Sequence, residues 1–112
     1  MSDSDSGTVV THDTGHHRYE ILVDGTVVGR TVYVDDGSRR IFFHTEVDPD
    51  RSGQGLAGTL VRFALEDTRT AGKRIVPVCP YVKRWTATHD GWADVLDPVT
   101  PHALELVGRA AR

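Results

Sequence analysis

Apolar residues first recur at every second position: Tyr19, Ile21 and Val23, then a run from Val27 to Val34, with Asp24-Gly25 between them. Alternation of this kind puts successive side chains on opposite faces of a strand, and Asp-Gly is a strong signal for a two-residue hairpin turn. "DDGSRR" turns the chain again. The next stretch, Arg40 to Val47, "RIFFHTEV", is dense in the aromatic and β-branched residues that suit strands. These segments predict an antiparallel meander of three strands. Beyond Gly55 the period lengthens to about 3.6 residues, the signature of a helix. Leu56, Leu60, Phe63, Ala64 and Asp67 share one helical face, apolar except at its last turn, and Gly72 stands where such a helix ends. "RIVPV", Arg74 to Val78, predicts a short strand that Pro77, lacking an N–H, interrupts or confines to a sheet edge. A proline-started helix is expected around Tyr81 to Thr88, and a C-terminal helix from about Pro101. The order β-β-β-α-β-α, with that last helix, describes an α+β fold with helices laid on a sheet.

Composition narrows this without redirecting it. A chain of 112 residues supports one domain with a modest core. The polar, acidic start, "MSDSDSGTVVTHDTG", is expected to be a disordered, solvated arm over residues 1–15. The folded domain then spans 16–97, with a helical extension over 98–112. That start is unlike a secretory or organelle leader, so the expected location is the cytoplasm. A net charge of −3 offers no broad basic footprint for nucleic acid. No apolar run nears the roughly 18 residues that cross a bilayer. The single cysteine, Cys79, excludes an internal disulfide. The histidines lack the spacing and supporting ligands of a metal site, so none is expected.

The chemistry concentrates where the period changes. Gly53-Gln54-Gly55-Leu56-Ala57-Gly58 spells GxGxxG, but the surroundings are wrong for a dinucleotide fold. The next strand ends "VPVCP", with no acidic residue to hold a ribose, and three strands precede the loop. A Walker loop fails as well, because no Gly-Lys-Ser/Thr comes after it. The physics of the loop survives both rejections. A helix starting near Gly55 presents unpaired N–H groups and the positive end of its dipole, and glycines let an anion approach. Phosphate binding and a plain tight turn both remain open on the loop alone.

The strand ending "V-D-P", the glycine loop and the amphipathic helix together resemble the acyl-CoA-binding core of the GNAT acetyltransferases. That family's Arg/Gln-x-x-Gly-x-Gly/Ala loop is met at its last two fixed positions by Ser52-Gly53-Gln54-Gly55-Leu56-Ala57, with Ser52 departing from the usual Arg or Gln. "RYEILVDG", "IFFHTEVDP", "GQGLAGTLV", "IVPVCPYV" and "HDGWADVL" are similar to the minimal, single-domain yjdJ-type branch and cover roughly residues 18 to 96. The resemblance implies acetyl-CoA lying between two splayed strands. The backbone near Val47 would pair with the pantetheine arm, and Ser52 to Ala57 would cradle the pyrophosphate. The thioester would point toward Cys79 and Tyr81. Arg51, Lys83 and Arg84 are the cations near enough in sequence to reach nucleotide phosphates.

Acetyl transfer to an amine needs a base for the ammonium, a donor for the thioester oxygen and a proton for the leaving thiolate. His44 and Glu46, two apart on a strand, share a face and are the candidate bases; Phe43, Thr45 and Val47 take the other face. Tyr81 is the candidate acid, and Cys79 a candidate acetyl acceptor or a small buried hydrophobe. Trp85 and Trp92 read better as core beneath a loop than as an acceptor pocket. The sequence thus supports acetyl transfer to an unidentified amine, of a small molecule or a protein, with a non-catalytic CoA-binding adaptor or sensor as the alternative. With only a hairpin ahead of the third strand, the acceptor side looks open. That fits a macromolecular substrate, a homodimer that completes the site, or no substrate at all.

Overall fold

The antiparallel part of the sheet has four strands rather than three. The computed structural model, which describes residues 7–111, places β1 at Thr8–Asp13, β2 at Arg18–Val23, β3 at Thr26–Asp36 and β4 at Arg39–Val47. Helix α1, Leu56–Thr70, then crosses to β5, Arg74–Pro77, which pairs with β4 in parallel. The sheet order is β1-β2-β3-β4-β5, and α2, Pro80–Thr88, and α3, Pro101–Ala110, complete an α+β fold. As its proline requires, β5 lies at the edge and ends at Pro77. Asp24 and Gly25 both adopt left-handed backbone, φ 50° and 85°, as a type I′ hairpin turn demands.

The solvated arm expected over residues 1–15 is corrected at Thr8–Asp13, which pairs with β2 from Thr8↔Val23 to Asp13↔Arg18. Of the rest, Thr14 and Gly15 open a short 3-10 turn, and residues 1–6 lie outside the described residues. Val10 packs against the core, and His12 stacks on Tyr19 with ring centroids 4.1 Å apart. Burying those two side chains repays the ordering of a segment whose composition looks solvated.

One face of the sheet carries α1 and α2. Tyr19, Ile21, Tyr33 and Phe42 meet Leu60, Ala64, Leu65, Val82 and Trp85 in a single core. The buried stripe of α1 runs through Leu56, Leu60, Val61, Ala64, Leu65 and Thr68, which shifts it from the expected face. Phe63 is 41% exposed and only edges onto Tyr19. Because α1 packs against all five strands and α2 at once, it needs a stripe wider than one row of side chains. Trp85 and Trp92 are buried edge to face in this main core, not in a separate cluster beneath a loop. The other face carries α3 over part of its area, where Ala103 meets Ile41 and Val76. Thr100 caps α3 by accepting from the Ala103 N–H at 3.1 Å.

A register shift at Ile21/Leu22, where Val28 is extra in β3, a second one in β4 and a buried polar network mark the sheet. Tyr33 pairs with Phe42 but Val32 pairs with His44, so Phe43 is an extra residue, a β-bulge in β4. The polar network lies beneath β1. Arg40 forks onto both Asp35 oxygens (2.8 and 3.0 Å), donates to the Tyr19 hydroxyl at 2.8 Å and lies over the Tyr33 ring. The Tyr19 hydroxyl donates onward to Asp67 at 2.7 Å. His12 Nε2 is hydrogen-bonded to the Tyr33 hydroxyl at 2.6 Å, while Nδ1 faces Asp67 at 3.3 Å. This arrangement suits a neutral ring with its proton on Nδ1.

Burial, followed by the Arg40 charge, holds the His12 imidazole below its ordinary value of 6.5, against the opposing pull of Asp67, Asp35 and Asp13. The unfolded chain therefore binds the proton more readily than the folded one. The stabilisation is complete above pH 6.5 and is lost as pH falls through the depressed folded value. Thermal unfolding followed from pH 7 to 5.5 should show the midpoint falling, with a shallower fall in His12→Gln. Equal slopes in the two proteins would remove His12 from the account.

Candidate functional site

Strand β4 leaves the sheet at Val47 and passes through a single 3-10 turn, Pro49–Arg51, into the glycine loop. Gly53 and Gly55 have φ of 83° and 73°, a conformation that any side chain would strain, and nothing stands within 4 Å of where a Cβ would be. Gly55 is the N-cap of α1 and contributes no side-chain bond, and the first turn holds no acidic residue. The opening N–H groups of this helix and the positive end of its dipole therefore face open space. They border a cleft of about 280 Å³ lined by Val47, Arg51, Ser52, Gly53 and Gly55, then Leu56, Ala57, Gly58 and Tyr81. A Cβ on Gly58 would lie 3.7 Å from the Tyr81 hydroxyl, so the missing side chain keeps the cleft open beside that phenol.

The same cleft lies where two strands part. β4 and β5 pair from Arg39↔Arg74 to Phe42↔Pro77, and the Cys79 N–H then donates to the Phe42 carbonyl at 2.8 Å. Beyond that bond β4 continues to Val47 with β3 on one side only. The Asp48 N–H points to Val28 on β3, so strand alternation turns the N–H and C=O of Thr45 and Val47 toward the open edge. Cys79 precedes α2 at this divergence. It is 4% exposed, and its thiol donates to the Thr45 hydroxyl at 3.4 Å, which in turn bonds Thr31 at 2.9 Å.

His44 and Glu46 occupy the opposite face of the sheet. They pair with Val32 and Arg30, in line with Val34, which packs on the α3 side. Both are about half exposed, and His44 Nε2 lies 2.8 Å from Glu46 Oε1. That hydrogen bond first, and the Arg30 charge after it, hold the Glu46 carboxyl below the usual range.

A family model described as GCN5-related N-acetyl-transferase matches residues 18–95. The chain belongs to this family. Solved structures show the same fold at low identity. An NMR structure from Staphylococcus aureus, described as GCN5-like, is 20% identical with a TM-score of 0.65, covering 87% of this chain and 95% of that one. A GNAT family acetyltransferase from Brucella melitensis, solved in complex with acetyl-CoA, is 24% identical with a TM-score of 0.50. The match covers 62% of this chain but 51% of that one. A ribosomal-protein-alanine N-acetyltransferase from Brucella melitensis biovar Abortus 2308 is 18% identical with a TM-score of 0.51, covering 74% and 63%. A comparison with curated proteins finds no match.

Within this member of the GCN5-related family, the structure brings Val47, Ser52, Gly53, Gly55, Leu56, Ala57 and Tyr81 together in one cleft, and of the three cations expected near the phosphates it places Arg51 there. Gln54 is exposed on the loop beside them. Lys83 is elsewhere, bordering a separate cleft with Pro77 and Leu96 to Val99. Arg84 borders a shallow hollow with Tyr81, Trp85 and His89. The sequence reading missed Arg30, which donates through Nη1 to Glu46, and Thr45, which receives the Cys79 thiol. Among the described residues, no helix is long and apolar enough to cross a membrane.

Proposed function

We propose that the cleft at the start of α1 binds acetyl-CoA and that the chain transfers its acetyl group to an amine. The observation that carries this reading is the parting of β4 and β5 directly beside an uncapped helix N-terminus. An anion fits the helix end, with Arg51 as counter-charge, which suits a pyrophosphate. The unpaired edge at Thr45 and Val47 can take up the amides of a pantetheine arm as a sheet takes up an added strand. A thioester carried along that edge arrives between Tyr81 on one side and the face bearing His44 and Glu46 on the other.

The reaction balances with these groups. The neutral amine nitrogen bonds to the thioester carbon and the C–S bond breaks. The proton shed by the amine goes to a base on the His44 face, and Tyr81 supplies one to the departing sulfur; water re-equilibrates both between turnovers. The Cys79 thiol, buried and already donating to Thr45, is left to packing in this scheme. The amine approaches from the α3 side of the sheet, over the exposed end of β3 and β4 that carries Arg30, His44 and Glu46.

Thermal unfolding with acetyl-CoA, and with NAD and ATP as controls, tests the binding step. At about 100 times its dissociation constant a ligand stabilises by about 2.7 kcal/mol. In a domain of this size that raises the midpoint by roughly 10 °C or more. A shift with acetyl-CoA alone is expected. No shift with any of the three would reduce the loop to a turn and end the acetyl-transfer reading.

A further inference from the structure

Glu46 has both carboxylate oxygens occupied. Oε1 meets His44 Nε2 at 2.8 Å, and Oε2 accepts from Arg30 Nη1. An ionised carboxylate only accepts, so the hydrogen between it and the ring must sit on His44 Nε2, and the neutral ring keeps its lone pair on Nδ1. A carboxylate engaged on both oxygens is a poor acceptor for a third proton. The half-exposed His44 ring has one nitrogen to spare. Arg30 itself lines no part of the glycine cleft and lies on β3, directly opposite Glu46 across the strand pair.

We infer that Arg30 is a positioning residue: it fixes Glu46, which holds His44 as the Nε2–H tautomer with Nδ1 free to take the proton of the acceptor amine. This rests on the acetyl-transfer reading and divides the labour between its two candidate bases. His44 carries the proton, Glu46 orients the ring, and Arg30 acts through both without touching cofactor or acceptor. Second partners that set the tautomer and orientation of a working histidine are a recurrent device. The competing account, a cross-strand ion pair that contributes only to the sheet, predicts no effect of Arg30 on the state of the ring.

Long-range proton–nitrogen correlation spectra of the full chain, labelled with ¹⁵N-histidine, separate the two accounts. In the wild type, neutral His44 should appear as the Nε2–H tautomer. Arg30→Gln, which frees the Glu46 carboxylate to swing away, should give a mixture of tautomers, and Arg30→Lys, which returns a cation to β3, should restore the single form. An unchanged Nε2–H tautomer in Arg30→Gln, or an Nδ1–H ring in the wild type, would overturn the assignment. The acetyl-CoA thermal shift, measured on the same samples, keeps the two ideas apart. It should persist in Arg30→Gln, because the residue lies off the cleft. Its absence from the wild type would remove the transfer reading, while the tautomer still decides whether Arg30 orients His44.

Discussion

Arg40→Met should lower the stability of the folded chain by about 3 kcal/mol, the lower end of what breaking a buried ion pair by removing one partner costs. Urea unfolding gives the number directly, as a fall in midpoint at unchanged slope. Arg40 is 6% exposed, and its guanidinium satisfies Asp35 through two bonds and the Tyr19 hydroxyl through a third. Methionine keeps the unbranched stem but not the guanidinium, and leaves the Asp35 carboxylate without its counter-charge. The loss stays near the low end because Asp35 is about one-third exposed and water can partly take over. A fall of less than about 1 kcal/mol, the scale of a surface pair, would mean that the network relaxes around the missing cation. The effect should reach β1, since His12 and the two tyrosines share the network with Arg40.

Tyr81→Phe should slow CoA release in the presence of an amine acceptor by about 10²–10⁴-fold, the usual contribution of a positioned proton donor. The ring keeps its place in the cleft, so the acetyl-CoA thermal shift should remain. That combination separates a lost acid from a lost binding site. The phenol stands over the gap that Gly58 leaves, at the junction of the glycine loop and the start of α2. Undiminished turnover in the variant would hand the role to water or to another donor.

Much of the fold is legible in the residues because local signals agree with tertiary demands. Asp24-Gly25 takes the left-handed turn its composition promises, and α1 ends just before Gly72. Strand β1 escapes because a six-residue segment beside a Ser/Asp-rich stretch carries too little apolar weight. Its order comes from His12 and Val10 meeting partners far along the chain. Phe63 misleads for a related reason: a helical wheel locates one face, whereas α1 is held from two directions, by the sheet and by α2.

The candidate site divides in the same way. The glycines are readable because their backbone conformations admit little else. Lys83 is not brought to the loop because nearness in sequence is not nearness on a helix: two residues after Tyr81 it has turned through about 200°. Arg30 is hidden by the bulge. Counting outward from the Asp36↔Arg39 pair without an extra residue would set Arg30 opposite Thr45 and Glu46 opposite Gly29. The extra Phe43 moves each partner by one and produces the Arg30–Glu46 contact.

That extra residue has an evolutionary reading. Upstream of Phe43, β4 answers to the core, with Phe42 toward α1 and Ile41 toward α3; downstream, the phase is reversed and His44 and Glu46 face outward. Loss of a single codon at Phe43 would keep every other letter of "HTEV" and yet send histidine and glutamate inward and threonine out. A lineage could thus inherit the motif intact and lack the outward His44–Glu46 pair. The length of this strand, more than the identity of its residues, would mark which descendants kept that pair on the outer face.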